Sequence, residues 1–226
     1  MVYEHIKKGR FISRPNRFIA NVEVDGETKV CHVKNTGRCR ELLVSGAEVI
    51  LHRPEGKARR TEYDLVAVYK GDTLINMDSQ APNKVFGEWA AGSGYFGDDV
   101  RIFPERTYGD SRFDFYIESG ERRIFVEVKG VTLERDGVVM FPDAPTERGV
   151  KHIRELMSAV SDGYEAYIFF IVQMERCRYF TPNRETHAAL ADALAEARER
   201  GVGVVAMTCT VGEGSLDIAE EIEVII

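Results

Sequence analysis

Ser111-Arg112-Phe113-Asp114-Phe115 and Phe125-Val126-Glu127-Val128-Lys129-Gly130 are two strand-like stretches joined by a short turn, and they decide the fold of this chain. Successive side chains of a strand point to opposite faces, so Glu127 and Lys129 share one face. The valines between them take the other face, towards the core. If the two strands pair as a hairpin, Asp114 approaches Glu127. The pattern therefore predicts two carboxylates and one ammonium group on one patch of sheet.

Two neighbouring carboxylates repel each other, so the pKa of one rises unless a cation neutralises them. Hard oxygen ligands with room for water suit Mg²⁺ or Mn²⁺, ions that stabilise charge on a phosphate oxygen. Lys129 would then orient the attacking water or stabilise the transition state. The spacing of Asp114, a turn and Glu127-x-Lys129 resembles the PD-(D/E)xK nuclease superfamily. The alternative is a solvated charge pair, because E-x-K is common on exposed strand faces.

The composition is that of an ordinary globular protein, with 226 residues, of which 44% are hydrophobic and 30% charged. No apolar run is long enough to span a membrane, and the first residues show no hydrophobic signal region. We therefore expect a cytoplasmic protein with no membrane partner. The 4 cysteines show neither a C-x-x-C pair nor metal-finger spacing, which favours reduced, buried thiols over a zinc site.

The charge is unevenly distributed along the chain. The net charge is −7, yet residues 1–60 hold 13 Lys and Arg against 7 Asp and Glu. A basic first segment beside an acidic remainder allows one module to hold phosphates while another carries metal ligands. An ordinary fluctuation in charge is the alternative explanation.

Residues 9–78 contain about five short strand-like runs separated by turn signals, which indicates a small barrel of the OB type. Barrels of this type bind single-stranded nucleic acid with aromatic and basic side chains. Alternatively, Phe18 belongs to the core and the arginines are solvated. The candidates for a nucleic-acid surface are Arg14, Arg17, Phe18, Lys34 and Arg38.

Residues 81–226 follow the order helix, three strands, helix, strand, helix, strand, with the acidic residues on the second and third strands. Glu88, on a helix predicted over 83–91, is either a third metal-binding carboxylate or a plain surface residue. The start of a helix predicted over 146–160 carries Arg148 and His152, which suit a phosphate or simply cap and solvate the helix. The acidic segment 217–226 is predicted to be an edge strand.

These motifs together resemble the sugar fermentation stimulation protein A (SfsA) family over nearly the whole chain. The resemblance implies an OB-like domain over 1–80 and a PD-(D/E)xK nuclease-like domain over 81–226. It also implies DNA binding without marked sequence preference and a link to sugar (maltose) metabolism in bacteria. Asp114, Glu127 and Lys129 match the nuclease positions. The motifs are Asn35-Thr-Gly-Arg38, Glu41-Leu-Leu43, Ser111–Phe115, Val126–Leu133 and Phe141–Gly149.

Two functions fit these observations. The first is an Mg²⁺- or Mn²⁺-dependent nuclease acting on DNA or RNA, with Asp114 and Glu127, and Glu88 as a further candidate, holding the metal. The second is a non-catalytic DNA-binding protein with a regulatory role in sugar metabolism. A sugar enzyme is disfavoured, because no P-loop and no G-x-G-x-x-G fingerprint is present. A homodimer is a further possibility that the sequence does not decide.

Overall fold

The computed structural model describes residues 1–35, 37–55 and 60–226. It contains a closed five-stranded barrel followed by an α/β unit, so the predicted fold class is confirmed. No helix among these residues has both the length and the apolar character needed to cross a bilayer.

Six strands form the first sheet: β1 (Ile6–Asn16), β2 (Ile19–Val24), β3 (Glu27–Val33), β4 (Glu48–His52), β5 (Tyr63–Lys70) and β6 (Thr73–Asn76). β1 pairs with both β2 and β4, and a parallel pairing between β3 and β5 closes the ring. β6 extends β5 as a hairpin. Small apolar side chains such as Ala20, Val22 and Val49 point inward and are fully buried, as the alternation of a barrel strand requires.

The first hairpin departs from the sequence prediction. Residues 9–13 and 17–24 are strand-like in sequence, and Arg14-Pro15-Asn16 between them predicts a break, but β1 continues to Asn16 and two register shifts accommodate the proline. A proline is tolerated where a bulge interrupts the ladder. The chain therefore reverses at Arg17 and Phe18, between the paired residues Asn16 and Ile19.

The second unit has the predicted αβββαβ order, with further strands added. Its nine strands lie in the order β10-β11-β13-β15-β14-β12-β9-β8-β7. The elements are α1 (Ala81–Gly92), β7 (Val100–Tyr108), β8 (Ser111–Ser119), β9 (Arg122–Val131), β10 (Leu133–Arg135), β11 (Val138–Phe141), α2 (Glu147–Ser161), β12 (Glu165–Val172), β13 (Tyr179–Pro182), α3 (Ala188–Glu199), β14 (Gly203–Gly212) and β15 (Ser215–Val224).

Helices cover both faces of this sheet, which explains why its central strand β12 is almost entirely apolar. α1 packs Phe86 against Phe115 and Phe169 on one face. α2 and α3 pack on the other face, in a core that continues into the barrel. Thr146 caps α2, since its Oγ1 accepts a hydrogen bond from the Gly149 N–H at 3.1 Å.

The prediction of an edge strand at the acidic C-terminus is wrong, because β15 lies inside the sheet between β14 and β13. Of the residues of β15, β13 pairs only with Glu223 and Val224, near the end of the strand. The rest of that side is uncovered, so Glu220 and Glu221 remain exposed although the strand is internal. The exposed acidic pattern of β15 thus arises because its neighbour β13 is short.

A buried polar network joins the barrel to the second unit at Asp78, which lies between β6 and α1. Its Oδ2 accepts a hydrogen bond from the Tyr3 hydroxyl at 3.0 Å and forms an ion pair with Lys34 Nζ at 2.7 Å. Gln173, after β12, donates from Nε2 to the Asn76 side chain at 2.8 Å and to the Asp78 carbonyl at 3.0 Å. Because each buried polar group has a partner, the network fixes how the two units meet.

Candidate functional site

The two predicted carboxylates meet where β8 and β9 separate. The antiparallel ladder between these strands ends at the pair Phe115–Val126. Beyond that point the Val128 N–H donates to Asp114 Oδ2 at 2.8 Å, so a side chain takes the place of a strand carbonyl. The separation of the strands therefore holds the Asp114 carboxylate directly against β9.

Asp114 is also held from α1. Its Oδ1 accepts a hydrogen bond from Asn83 Nδ2 at 2.8 Å. Burial raises the pKa of the Asp114 carboxyl, and the charge of Glu127 adds to the rise, although these hydrogen bonds and Lys129 oppose it. A carboxylate in this position is stabilised by any cation placed near it. Asn83 was not predicted as a site residue, because its contact depends on how α1 packs.

Glu127 is buried, with 2% of its surface exposed, so the solvated charge pair considered from the sequence is wrong. Its Oε1 accepts hydrogen bonds from Lys129 Nζ and from His152 Nδ1. Burial acts to raise the pKa of Glu127, but His152 and Lys129 outweigh it and the net shift is downward. Glu127 Oε2 is buried and has no hydrogen-bond partner among the described residues.

His152 belongs to this cluster and does not lie on a nucleic-acid surface. It is 4% exposed, and its Nδ1 lies 2.5 Å from Glu127 Oε1. Its other ring nitrogen, Nε2, accepts from Arg148 Nε at 3.3 Å. The ring therefore donates from Nδ1. The signal was present in the sequence, since His152 lies three and four residues from Gly149 and Leu156, in the buried stripe of α2.

The structure does not bring Glu88 into the cluster. Its carboxylate lies on α1 at 2.8 Å from the amino group of Met1, which also contacts Asp217. Half of the Glu88 side chain is exposed. The surface interpretation thus fits its position, and the described contacts give it no part in holding a metal with Asp114.

Gly130, directly after Lys129, lies at a point of close approach. A Cβ atom there would be 2.6 Å from Gln173 Oε1 and 2.7 Å from Pro82 Cγ. Only glycine fits this position without displacing the junction or the start of α1. Gly130 also borders a cleft of about 370 Å³, which lies between the barrel loop at Gly37 and the segment from Pro142 to Thr146.

Arg14 holds two barrel loops together. Its guanidinium donates to four carbonyl oxygens at 2.6–2.9 Å. It is thus part of the scaffold, and its terminal nitrogens leave no donor for the nucleic-acid contact predicted for it. The four acceptors belong to the hairpin turn and to the loop after β3; they are Arg17, Asn35, Gly37 and Arg38.

The other predicted basic residues divide into two groups. Lys34 is mostly buried in its ion pair with Asp78, so it serves the junction. Arg17 and Arg38 are exposed and, with Arg40, border a cleft of about 460 Å³. Within the described part of the chain, none of these three arginines forms an ion pair. Arg148 is also exposed, at the start of α2.

The residues present fit a hard divalent cation. Asp114 and Glu127 offer carboxylate oxygens, and Glu127 Oε2 is a buried acceptor with no hydrogen-bond partner in the described part of the chain. Two carboxylates with the remaining positions left to water and phosphate is the usual arrangement for Mg²⁺ in phosphoryl chemistry. The cluster is therefore a candidate metal site with an ammonium group, Lys129, beside it.

Comparisons with known proteins give a consistent result. Residues 12–77 match the family model "SfsA N-terminal OB domain", and residues 80–215 match "Sugar fermentation stimulation protein RE domain". A sugar fermentation stimulation protein homolog from Desulfitobacterium hafniense (strain DSM 10664 / DCB-2) is 57% identical over 224 residues, covering 99% of this chain and 98% of that protein. One from Clostridium beijerinckii is 52% identical and covers 100% of both chains.

A solved structure has the same fold. The structure of Pyrococcus furiosus SfsA in complex with Ca²⁺ superposes with a TM-score of 0.91 at 28% sequence identity. The alignment covers 100% of this chain and 98% of that one. The likeness therefore includes both units and their junction.

Proposed function

The chain belongs to the sugar fermentation stimulation protein family, and we propose that it is an Mg²⁺- or Mn²⁺-dependent nuclease that hydrolyses phosphodiester bonds of DNA or RNA in the cytoplasm. The observation that carries the proposal is the half-buried Asp114 beside the buried Glu127, whose Oε2 has no hydrogen-bond partner among the residues that the structure describes. Ca²⁺ in the Pyrococcus furiosus relative supports it, because Ca²⁺ and Mg²⁺ both select oxygen ligands.

The carboxylates of Asp114 and Glu127 would hold the ion, with water and a substrate phosphate completing its coordination. When bound, it would supply Lewis-acid chemistry that stabilises charge developing on a phosphate oxygen. The protein's part is to fix the ligands. Asn83 and the Val128 N–H orient Asp114, and His152 orients Glu127.

Lys129 is the residue of the cluster best placed to act on the substrate. Its ammonium contacts Glu127 Oε1, yet 20% of its side chain is exposed, so it faces both the ligand and the solvent side. A positive charge held there either orients the attacking water or stabilises the pentavalent transition state. Lys129→Ala would therefore lower the cleavage rate more than it lowers substrate affinity.

The exposed arginines would bind the phosphates of the nucleic acid. Arg17, Arg38 and Arg40 border the cleft on the barrel, and guanidinium groups bind phosphates bidentately. This cleft and the cleft beside Gly130 share Gly37 and Ala144 in their walls. The two clefts would therefore offer a phosphate backbone a path from the arginines to Gly130, the residue after Lys129.

The test compares Asp114→Asn with Glu88→Gln. Asparagine keeps the size of Asp114 and an acceptor for the Val128 N–H but removes the charge. Cleavage of single- and double-stranded DNA and of RNA would be followed with Mg²⁺, Mn²⁺ or chelator. We expect Asp114→Asn to lose at least about 100-fold in rate with binding intact, since electrostatic stabilisation of this kind contributes that much. Glu88→Gln should match the wild type.

Metal-independent cleavage that survives Asp114→Asn would overturn this proposal. The second candidate is a non-catalytic, sequence-nonspecific DNA-binding protein with a regulatory role in sugar (maltose) metabolism. The observation that favours it is the separation of the exposed arginines on the barrel from the carboxylate cluster. It predicts salt-dependent binding without metal and no cleavage of any substrate.

A further inference from the structure

Phe18 lies at the tip of the first hairpin. The turn between β1 and β2 consists of Arg17 and Phe18, and 51% of the Phe18 surface is exposed. Neither residue has a positive φ, so the turn does not require Asn, Asp or Gly at these positions and a large side chain fits there. The face of the Phe18 ring is therefore accessible to a ligand.

The ring is held on a fixed backbone. The Phe18 N–H donates to Asn16 Oδ1 at 2.9 Å, and its carbonyl accepts from the Val33 N–H at 2.8 Å. Beside it, His32 is anchored through Nδ1, which lies 3.1 Å from Asp64 Oδ1. Binding to a preorganised aromatic surface loses little conformational entropy.

The surroundings of Phe18 are basic. Arg17 precedes it in the turn, and Arg14 ties the backbone of Arg17 to the loop that carries Arg38. Arg17 and Arg38 are both exposed. The two loops that carry them are held together by the hydrogen bonds of Arg14. An apolar ring next to unpaired guanidinium groups matches a ligand that has both a flat apolar face and phosphates.

We propose that Phe18 is a stacking platform for an unpaired base, and that the nucleic acid this protein binds is single-stranded. The inference deepens the proposed function and rests on it for the phosphodiester substrate. A duplex keeps its bases stacked on one another, so only a single strand presents a free base face to the ring. The neighbouring arginines hold the flanking phosphates.

The platform lies near the carboxylate cluster. Phe18 and His32 border a recess of about 180 Å³ whose far wall is Ser79 and Gln80. The next residue begins α1, from which Asn83 reaches Asp114. Ser79 also borders the cleft at Gly130. A strand stacked on Phe18 thus enters the second unit beside the residues that would cleave it.

The test measures binding in chelator, so that it does not depend on cleavage. Fluorescence anisotropy would follow a dye-labelled oligonucleotide of about 12 nucleotides, the scale of an OB-fold site, and the same sequence as a duplex. Phe18→Ala should weaken single-strand binding roughly 5- to 100-fold, as loss of one stacked base does. Phe18→Trp should restore it. The matched control is Val30→Ala, since Val30 is 52% exposed on β3 and is not one of the residues that line the recess.

Duplex affinity and the slope of affinity against salt should not change in Phe18→Ala, because no phosphate contact is lost. Equal weakening of single- and double-strand binding, no weakening, or binding of an unlabelled protein partner at Phe18 in place of nucleic acid would overturn the inference. If Asp114-dependent cleavage holds while Phe18→Ala binds normally, only this inference fails. If single-strand binding depends on Phe18 and no cleavage occurs, only the nuclease proposal fails.

Discussion

Replacement of His152 tests how the Glu127 carboxylate is held. The imidazole Nδ1 lies 2.5 Å from Glu127 Oε1, and both residues are at least 96% buried. His152→Ala removes this donor and leaves Oε1 with Lys129 alone. His152→Asn places an amide nitrogen where Nδ1 stood, so it keeps the donor but loses the contact with Arg148. The two variants therefore separate the hydrogen bond from the rest of the ring.

A hydrogen bond to a charged group contributes about 1.5–3 kcal/mol, and His152→Ala should lower the free energy of unfolding by at least that amount. The edge-on contact of the ring with Phe113, with centroids 6.2 Å apart, is lost in both variants. The difference in free energy of unfolding between His152→Ala and His152→Asn then isolates the hydrogen bond to Glu127. Urea unfolding in chelator measures this difference without any metal contribution.

Metal affinity tests whether His152 also supports the proposed metal site. Loss of a residue that orients a ligand typically costs 10- to 100-fold in metal affinity, or about 1.4–2.8 kcal/mol. Isothermal titration with Mg²⁺, Mn²⁺ and Ca²⁺ should therefore show this loss for His152→Ala and less than roughly threefold for His152→Asn. Equal affinities for Ala and Asn, after correction for any unfolded fraction, would refute the role of His152 in holding Glu127.

Two further substitutions test the scaffold around the site. Arg14→Ala should lower the free energy of unfolding by about 2–3 kcal/mol and weaken nucleic-acid binding, since the charged donors of Arg14 fix both basic loops. Arg14→Lys should not restore stability or binding, because an ammonium group lacks the planar fork of a guanidinium. An unfolding midpoint unchanged in urea would contradict this. Gly130→Ala should lower the free energy of unfolding by about 1–3 kcal/mol, because the added methyl group overpacks against Gln173. The control is Gly92→Ala, which lies in open space on α1 and should not destabilise the protein. Equal stability of the two variants would contradict the close approach at Gly130.

The alternation of charged and apolar residues in β9 was enough to predict the candidate site. Val126 and Val128 are buried against α1, as the period of two requires, and this fixes Glu127 and Lys129 on the other face. Local patterns predict such features well because they depend on neighbours in the sequence. The same holds for the apolar stripe of α2, whose predicted extent differs by about one residue from the helix observed.

What the sequence did not show depends on contacts between distant elements. Asn83 reaches Asp114 across 31 positions, and His152 reaches Glu127 across 25, so no local spacing marks either pair. Arg14 shows the converse. A basic residue beside a turn is a candidate for nucleic-acid binding, yet in the structure the turn itself supplies carbonyl acceptors that use its donors. The hairpin break was misplaced for a related reason, because bulges let a proline remain inside β1.

The buried network at Asp78 would let the proposed binding on the barrel and the proposed chemistry on the sheet act on one substrate. Asp78 anchors Lys34, which directly precedes the loop of exposed arginines, and its Oδ1 accepts from the Gln80 N–H at 2.9 Å just before α1. Since α1 carries Asn83, the same residue that positions the binding loop also positions the helix that holds Asp114. A substrate held by the arginines would thus be presented to carboxylates whose location is fixed by the same junction. Neither half of the proposed function is therefore expected to persist if that junction is broken.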